Sequence, residues 1–415
     1  VCMPSRAMLH SGRTLFHIEG IGRTIPEAHP TLGERLRSVG YDTFHTGKWH
    51  NDRASLHRSF TEADEVFLGG MDDPWNAPLL HHDPTGAYEG TLPGIWNPLQ
   101  SNAVRHRPGD HVYPGRHSTD IFCDRAARYI GDHSGERPFF LSLALMAPHD
   151  PRTAPPEYHE AFPAEDAVLP PNFMERPEVD TGALNIRDEV LAAQPRDPDE
   201  VRRHLADYHA MIQHLDEGLG RVMRALEAAN RADNTVFIFT ADHGLALGQH
   251  GLMGKQDVYE HSIRVPLIAA GPGIPAGVAR HDEVLHLDLY RTLLDLAGAD
   301  RSDGADSVGL RLTESADDAA TLPPERGYFA YAKSIRSIRD YPYKLIEYAH
   351  GDYRASELFD LAADAGEIRN LAQSADHAER LAAMRKRLEE TADAVGDTTD
   401  PLGEAFWSCY HSRPK

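Results

Sequence analysis

Pro138-Phe139-Phe140-Leu141-Ser142-Leu143-Ala144-Leu145-Met146 is a nearly continuous apolar run, and it ends at once in Ala147-Pro148-His149-Asp150-Pro151. Its length and its proline boundaries predict a buried strand. Asn234 to Thr240 (NTVFIFT) repeats the pattern, with β-branched and aromatic residues running into Ala241-Asp242-His243-Gly244. Tyr41 to His45 leads into Thr46-Gly47-Lys48-Trp49-His50, and Val265 to Ala270 is closed by Gly271-Pro272-Gly273. Between the strands lies an amphipathic helix. Leu205, Tyr208, Met211, Ile212, Leu215, Leu219, Val222, Met223 and Leu226 recur at spacings of three and four, behind an acidic first turn at Asp197 to Glu200. Buried strands alternating with helices predict an α/β fold, a mostly parallel sheet sandwiched by helices. Ligands of such sheets sit beyond the carboxyl ends of the strands. The polar motifs lie at those ends, so they can converge although they are far apart in the chain.

The chain has 415 residues, enough for a large core without disulfides or a structural metal. Lys+Arg is 42 and Asp+Glu 64, a formal net charge of −22. That excludes a general nucleic-acid binder, which shows a basic face. An anionic substrate stays possible because a few local cations can dominate a pocket. There is no apolar run long enough for a membrane span. Cys2, Cys123 and Cys409 match no zinc spacing and allow at most one disulfide.

The segments Trp75 to Val112 and Asp150 to Asp199 are rich in Pro, Gly, Asp and His and predict long ordered loops. Asp300 to Pro324 reads as a linker. Beyond it, short strands at Tyr328–Ala332, Ser334–Ile338, Tyr343–Tyr348 and Glu357–Leu361 and a helix at Ala378–Ala394 predict a small C-terminal α+β subdomain. The predicted domains are 1–315 and 316–415.

Residues 2 to 13, Cys-Met-Pro-Ser-Arg-Ala-Met-Leu-His-Ser-Gly-Arg, resemble the signature of type I sulfatases in the alkaline phosphatase-like superfamily. Gly47-Lys48-Trp49-His50, Pro148-His149, Asp242-His243-Gly244 and Gly254-Lys255 follow in that family's order. Glu357 to Leu361 and Glu367 to Ala372 resemble its C-terminal subdomain, in the manner of bacterial glycan sulfatases.

The resemblance implies hydrolysis of sulfate monoesters, expected on a carbohydrate. It implies oxidation of Cys2 to formylglycine by a maturation enzyme that reads Pro4 and Arg6, with the hydrated aldehyde as nucleophile. Read from the residues alone, Pro4 and Ser5 open a helix ending near Ser11, with Gly12 as its stop. Residue 2 then lies at an anion-favouring helix N-terminus, and Arg6 is one turn along. Lys48 and Lys255 are two of only six lysines in the chain. By resemblance they contact sulfate oxygens, His149 is a candidate general acid, and His50 serves the gem-diol. Asp242 and His243, with residue 2, are the expected metal ligands. Oxygen-rich ligation suits Ca²⁺, and the imidazole keeps Mg²⁺ or Mn²⁺ open.

Trp75, Asp72, Asp73, His81 and His82 mix an aromatic with carboxylates and imidazoles, a composition suited to a sugar. Arg105, Arg107, Arg116 and His117 are candidates for further anionic groups of a glycan. His10, His57, His106, His133 and His281 read as surface or loop residues. Members of the resembled family carry an N-terminal strand with paired metal-binding aspartates. This chain begins one residue before Cys2, which leads us to expect a longer natural protein. Two rivals follow: a phosphonate monoester or phosphodiester hydrolase of the same superfamily, and a non-catalytic glycan-binding pseudosulfatase. Family resemblance alone favours a periplasmic or secreted location.

Overall fold

The computed structural model describes residues 1–415 except 84, 86, 96–102, 281–282, 301–303, 311, 313–326 and 413–415, and the side chains of 19, 20, 94 and 95. The expected boundary at 315/316 and Pro323-Pro324 lie outside the described residues. In chain order the strands are β1 (Asp42–Lys48), β2 (Glu62–Phe67), β3 (Thr91–Ile95), β4 (Val104–Pro108), β5 (Phe139–Ala144), β6 (Phe237–Thr240), β7 (Leu267–Ala270), β8 (Tyr328–Tyr331), β9 (Ile335–Asp340), β10 (Tyr343–His350) and β11 (Tyr353–Asp360).

β2, β1 and β5 form a parallel sheet with β1 in the centre. β7 pairs with β6 antiparallel, so this second sheet departs from the parallel pattern. Every residue of β5 and of β6 is half-buried, although their sequences predict full burial. Among the described residues each pairs with a strand on one side only, and the other edge lacks the cover that a central strand has.

The helix Pro198–Ala228 is capped by the Asp197 carboxylate, which accepts from the Asp199 N–H at 2.8 Å. Its Val222 and Leu226 pack with Cys123, Ala126 and Ile130 of the helix Ser118–Asp132. Ile212 and Met223 belong to the predicted apolar stripe but are exposed. Ala210, His214 and Gly218 are buried instead. A Cβ on Gly218 would lie 2.8 Å from Cys123 Sγ, so close helix approach selected small residues there over large ones.

The C-terminal sheet is antiparallel in the order β11-β10-β9-β8. Adjacent residues of one strand serve opposite faces. Leu345 and Leu358 pack under the helices Ala378–Val395 and Pro401–His411 with Met384, Leu388 and Phe406. Ile346 and Phe359 face the other way, onto Ala246, Leu252, Val258 and Tyr259. The sheet is therefore bound to the segment that follows β6. The hairpin β3–β4 and the helix Pro401–His411 were not read from the sequence. No helix among the described residues is long and apolar enough to cross a membrane.

Candidate active site

The helix Cys2–Ser11 starts two residues before Pro4, so Cys2 is its first residue. Gly12 ends it in a left-handed conformation, as expected. Cys2 Sγ is buried and lies 2.9 Å from His243 Nε2. Burial pushes its thiol up. The surrounding imidazoles of His149, His243 and His50, with the charge of Lys48, outweigh burial and hold it far below the ordinary cysteine range.

Arg6, one turn along, is also buried. It donates from Nε to the Trp49 carbonyl at 2.9 Å and from Nη2 to the Lys48 carbonyl, and its Nη1 is 3.7 Å from Asp242 Oδ2. It thereby ties the helix to the end of β1. Lys48, the last residue of β1, is almost fully buried and donates to the Gly70 carbonyl at 2.6 Å. Burial lowers its pKa, while Cys2 and Asp242 favour its charge. His50 sits at φ 70, and a Cβ on Gly70 would lie 2.7 Å from its Nε2. Glycine at 70 is what lets the ring occupy this place.

His149 follows β5. The Asp150 carbonyl can only accept, so its 2.8 Å contact puts the proton on His149 Nδ1 and leaves the Nε2 lone pair facing Lys255 Nζ at 2.9 Å. Asp242 and His243 follow β6. The His243 Nδ1–H is likewise taken by the Gly244 carbonyl at 2.7 Å, so Nε2 is the nitrogen turned to Cys2 and Asp242. Burial pushes the Asp242 carboxyl up, but His243, Arg6 and Lys48 draw it to about 2.

The ligand atoms of Cys2, Asp242 and His243 all lie within 4.8 Å of one another. One ionised carboxylate and one imidazole with its other nitrogen already satisfied suit a divalent cation. The arrangement thus joins a nucleophile position, two ammonium groups, a guanidinium and three imidazoles at the ends of β1, β5 and β6.

The expected sugar-contacting residues stand apart from this cluster in their bonding. Asp72 accepts from Arg107 Nη1 at 2.6 Å. Asp73 is occupied in its own turn, accepting from the Trp75 N–H and from Asn76 Nδ2. Trp75 packs edge-on against His117 with ring centroids 5.1 Å apart. His81 points at Asp64, and His82 lies 5.1 Å from His57 between ring centroids. The Gly70 carbonyl on Lys48 is the bond that joins this loop to the site.

Two expectations are corrected. His117 cannot meet a glycan anion, because it is buried and accepts from the Thr119 N–H as a helix cap. His10 is not a surface residue; it is buried against Trp49, with ring centroids 4.5 Å apart. His281 lies outside the described residues. Sequence reading also missed Asp188. Its Oδ2 is 3.3 Å from Lys255 Nζ and accepts from Gln256 Nε2 at 2.8 Å. Arg187 bridges Asp188 to Asp150. Nothing in an irregular loop without periodicity marks these residues beforehand.

The model of the sulfatase family matches residues 1–299. The chain belongs to the sulfatase family. Its later part, residues 248–394, also matches the model of the N-sulphoglucosamine sulphohydrolase C-terminal region. The chain is 27% identical over 349 residues to the multifunctional alkaline phosphatase superfamily protein PehA of Trinickia caryophylli. The match covers 74% of this chain and 66% of PehA. It is 24% identical to an N-acetylglucosamine-6-O-sulfatase of Bacteroides thetaiotaomicron, covering 96% of this chain and 78% of that protein. Its fold matches a protein solved in complex with its substrate D-glucosamine-2-N,6-O-disulfate, with TM-score 0.71 at 21% identity over 97% of this chain and 90% of the other. Sulfatases as a family use a formylglycine and a divalent metal.

Proposed function

We propose that this chain hydrolyses sulfate monoesters of carbohydrates, with a 6-O-sulfated amino sugar as the first substrate to test. The observation that carries this reading is the buried residue 2 at a helix N-terminus, 2.9 Å from His243 Nε2 and surrounded by His50, His149 and Lys48. The names of the N-acetylglucosamine-6-O-sulfatase and of the disulfate complex support the sugar class.

Formylglycine at residue 2 would supply a hydroxyl nucleophile for sulfur, and a divalent cation held by Asp242, His243 and residue 2, with Ca²⁺ our first choice, would lower the charge barrier to its approach. The side chains do the rest. Lys48 and Lys255 meet the sulfate oxygens and offset the charge that builds as the S–O bond breaks. Arg6, held by two carbonyls, fixes the helix end against β1 and adds a third positive charge. His149 stands with Nε2 toward the site and receives a proton there for the sugar oxygen, since an alkoxide leaves poorly. Asp150 fixes its tautomer. His50 serves the hydrated residue 2 as a proton acceptor. Trp75 and Asp72 would meet the sugar on the loop anchored through Gly70, with Asp73, His81 and His82 further along it.

The test is sulfate release from N-acetylglucosamine 6-sulfate, beside hydrolysis of a phosphonate monoester and a phosphodiester. Protein is made with and without a formylglycine-generating enzyme, and mass spectrometry follows the peptide Val1–Arg6. Sulfate release that needs the modification and vanishes in Cys2→Ala supports the reading. Near-normal release by Cys2→Ala removes it. The second reading is a phosphonate monoester or phosphodiester hydrolase, and the similarity to PehA, named a multifunctional protein of the alkaline phosphatase superfamily, supports testing more than one ester class. A large preference for those substrates would establish it.

A further inference from the structure

A second cluster of ligating side chains lies on β2 and the loops beside it, where the pairing of β1 and β2 slips. His45 is opposite Ala63, but Gly47 is opposite Val66, so β2 carries an extra residue. Glu65 takes it up at φ 53, and the bulge turns its side chain out of the ladder. The Glu65 carboxylate then accepts from Tyr113 OH on Oε1 at 2.7 Å and meets His111 Nε2 with Oε2 at 2.7 Å. The buried Leu79 and Leu80 pin the adjoining segments through bonds to the His111 and Val66 carbonyls, both 2.9 Å.

This brings His81 beside His111, with rings stacked 4.2 Å apart at 18°. The His81 Nδ1–H donates to Asp64 Oδ1 at 3.0 Å, and Asp64 is itself held by Arg125 Nε at 2.6 Å. The His81 Nε2 lone pair is therefore left free to ligate. With Nε2 of His111 engaged by Glu65, its Nδ1 is the nitrogen turned to Asp110. His81 has one nitrogen tied to a carboxylate and the other directed inward, which is how metal-binding histidines are oriented and made more basic; His111 is held by Glu65 at Nε2 and bonds Asp110 at Nδ1, the contact that a metal would replace. The ligand atoms of His81, Asp110 and His111 all lie within 4.8 Å of one another. Asp64, Glu65 and Asp110 are three carboxylates, and Arg125 is the guanidinium bonded among them. With neutral imidazoles the group holds an excess of two negative charges.

We infer that His81, Asp110 and His111 form a second metal site, separate from that at Asp242 and His243, for a divalent first-row transition ion such as Zn²⁺. Two imidazoles and a carboxylate are the donor set for Zn²⁺, Mn²⁺ or Fe²⁺, and nitrogen donors disfavour Ca²⁺ and Mg²⁺. Open positions remain for water, as His81 is 60% exposed. The competing occupant is a proton. Burial lowers the pKa of His111, but Glu65 and Asp110 more than reverse this, so an imidazolium clamped by two carboxylates would also satisfy the geometry.

The experiment uses the full chain carrying Asp242→Asn, which disables the site at the end of β6. After chelator treatment, Zn²⁺ binding is measured by equilibrium dialysis, and Co²⁺ binding by visible absorption. The expected result is one equivalent of Zn²⁺ whose affinity falls at least tenfold on adding His81→Ala or His111→Ala. Adding Asp64→Ala, which removes only the carboxylate behind His81, is expected to cost about 10–100-fold. The Co²⁺ ligand-field bands are expected to fall with the same substitutions. His81 is largely exposed, so its replacement does not threaten folding, and circular dichroism checks this for each variant. No Zn²⁺ bound by Asp242→Asn, or equal binding with and without His81→Ala, overturns the inference and leaves the clamped imidazolium.

Discussion

Lys48 shows what one residue does here and what it costs. Its ammonium is buried at a strand end, where burial works against its charge and Cys2 and Asp242 sustain it. In the proposed reaction such an ammonium already occupies the place where negative charge grows, so it needs no reorganisation. Lys48→Ala is expected to lower kcat for sulfate release by about 10²–10³, equivalent to roughly 2.7–4 kcal/mol. Steady-state kinetics with unchanged circular dichroism is the check. Methionine at 48 keeps the volume without the charge, and it should be equally inactive. A fully active methionine variant would assign Lys48 a packing role. The motif residues were legible because their order along the chain is distinctive. Asp188 and Asp150 were not, because a carboxylate in a loop gives no sign of which ammonium or imidazole it will meet.

At the scale of the element, two features hold the site and its support. Gly47 precedes Lys48 in β1 at φ 100, and a Cβ there would lie 2.0 Å from the Ala144 carbonyl of β5. Gly47→Ala thus combines a disfavoured backbone with a clash across the β1–β5 pair. The expected loss is roughly 2 kcal/mol or more in urea denaturation, with Lys48 displaced and kcat reduced. Under the C-terminal sheet, in the turn after the helix Ala378–Val395, Asp397 is fully buried. It accepts from Tyr328 OH at 2.6 Å, from Arg336 Nε at 2.7 Å and Nη2 at 2.9 Å, and from Trp407 Nε1 at 2.9 Å. Asp397→Ala strands the Arg336 charge, also buried, and is expected to cost roughly 3–5 kcal/mol. Loss of near-ultraviolet circular dichroism from Trp407 would report it. A change below 1 kcal/mol would mean that water or another acceptor replaces the carboxylate.

Over the whole molecule, the C-terminal sheet and the segment that follows β6 meet at a buried carboxyl group. Glu357 of β11 accepts from Tyr259, next to the α/β sheet, at 2.6 Å and from Tyr348 of β10 at 2.7 Å. Burial dominates and raises its pKa from 4.5 to about 7, while the two phenols partly oppose the rise. A carboxyl group whose pKa is raised by folding contributes stability that is complete below about pH 4.5 and lost as pH rises through 7. The wild type should therefore lose on the order of 3 kcal/mol from this group between those limits. Glu357→Gln, which cannot ionise, should remove that slope. Urea denaturation of both chains at pH 5 and pH 8 measures it, and parallel slopes would show that Glu357 does not titrate in the folded protein.

The sequence by itself determined the α/β class, the helix Pro198–Ala228 with its acidic start, the C-terminal strands, and the motif residues that gather at the candidate site. These depend on periodicity, capping chemistry and motif order, which are local and survive without knowledge of the fold. Only the tertiary structure decided the partial burial of β5 and β6, the antiparallel direction of β7 and the burial of His10 and His117. It alone placed Asp188 on Lys255, Glu357 between two tyrosines, and His81 and His111 around Asp110. Those are contacts between residues far apart in the chain. A side chain carries its chemistry into the fold, but its partner and its solvent exposure are set by how separate elements pack.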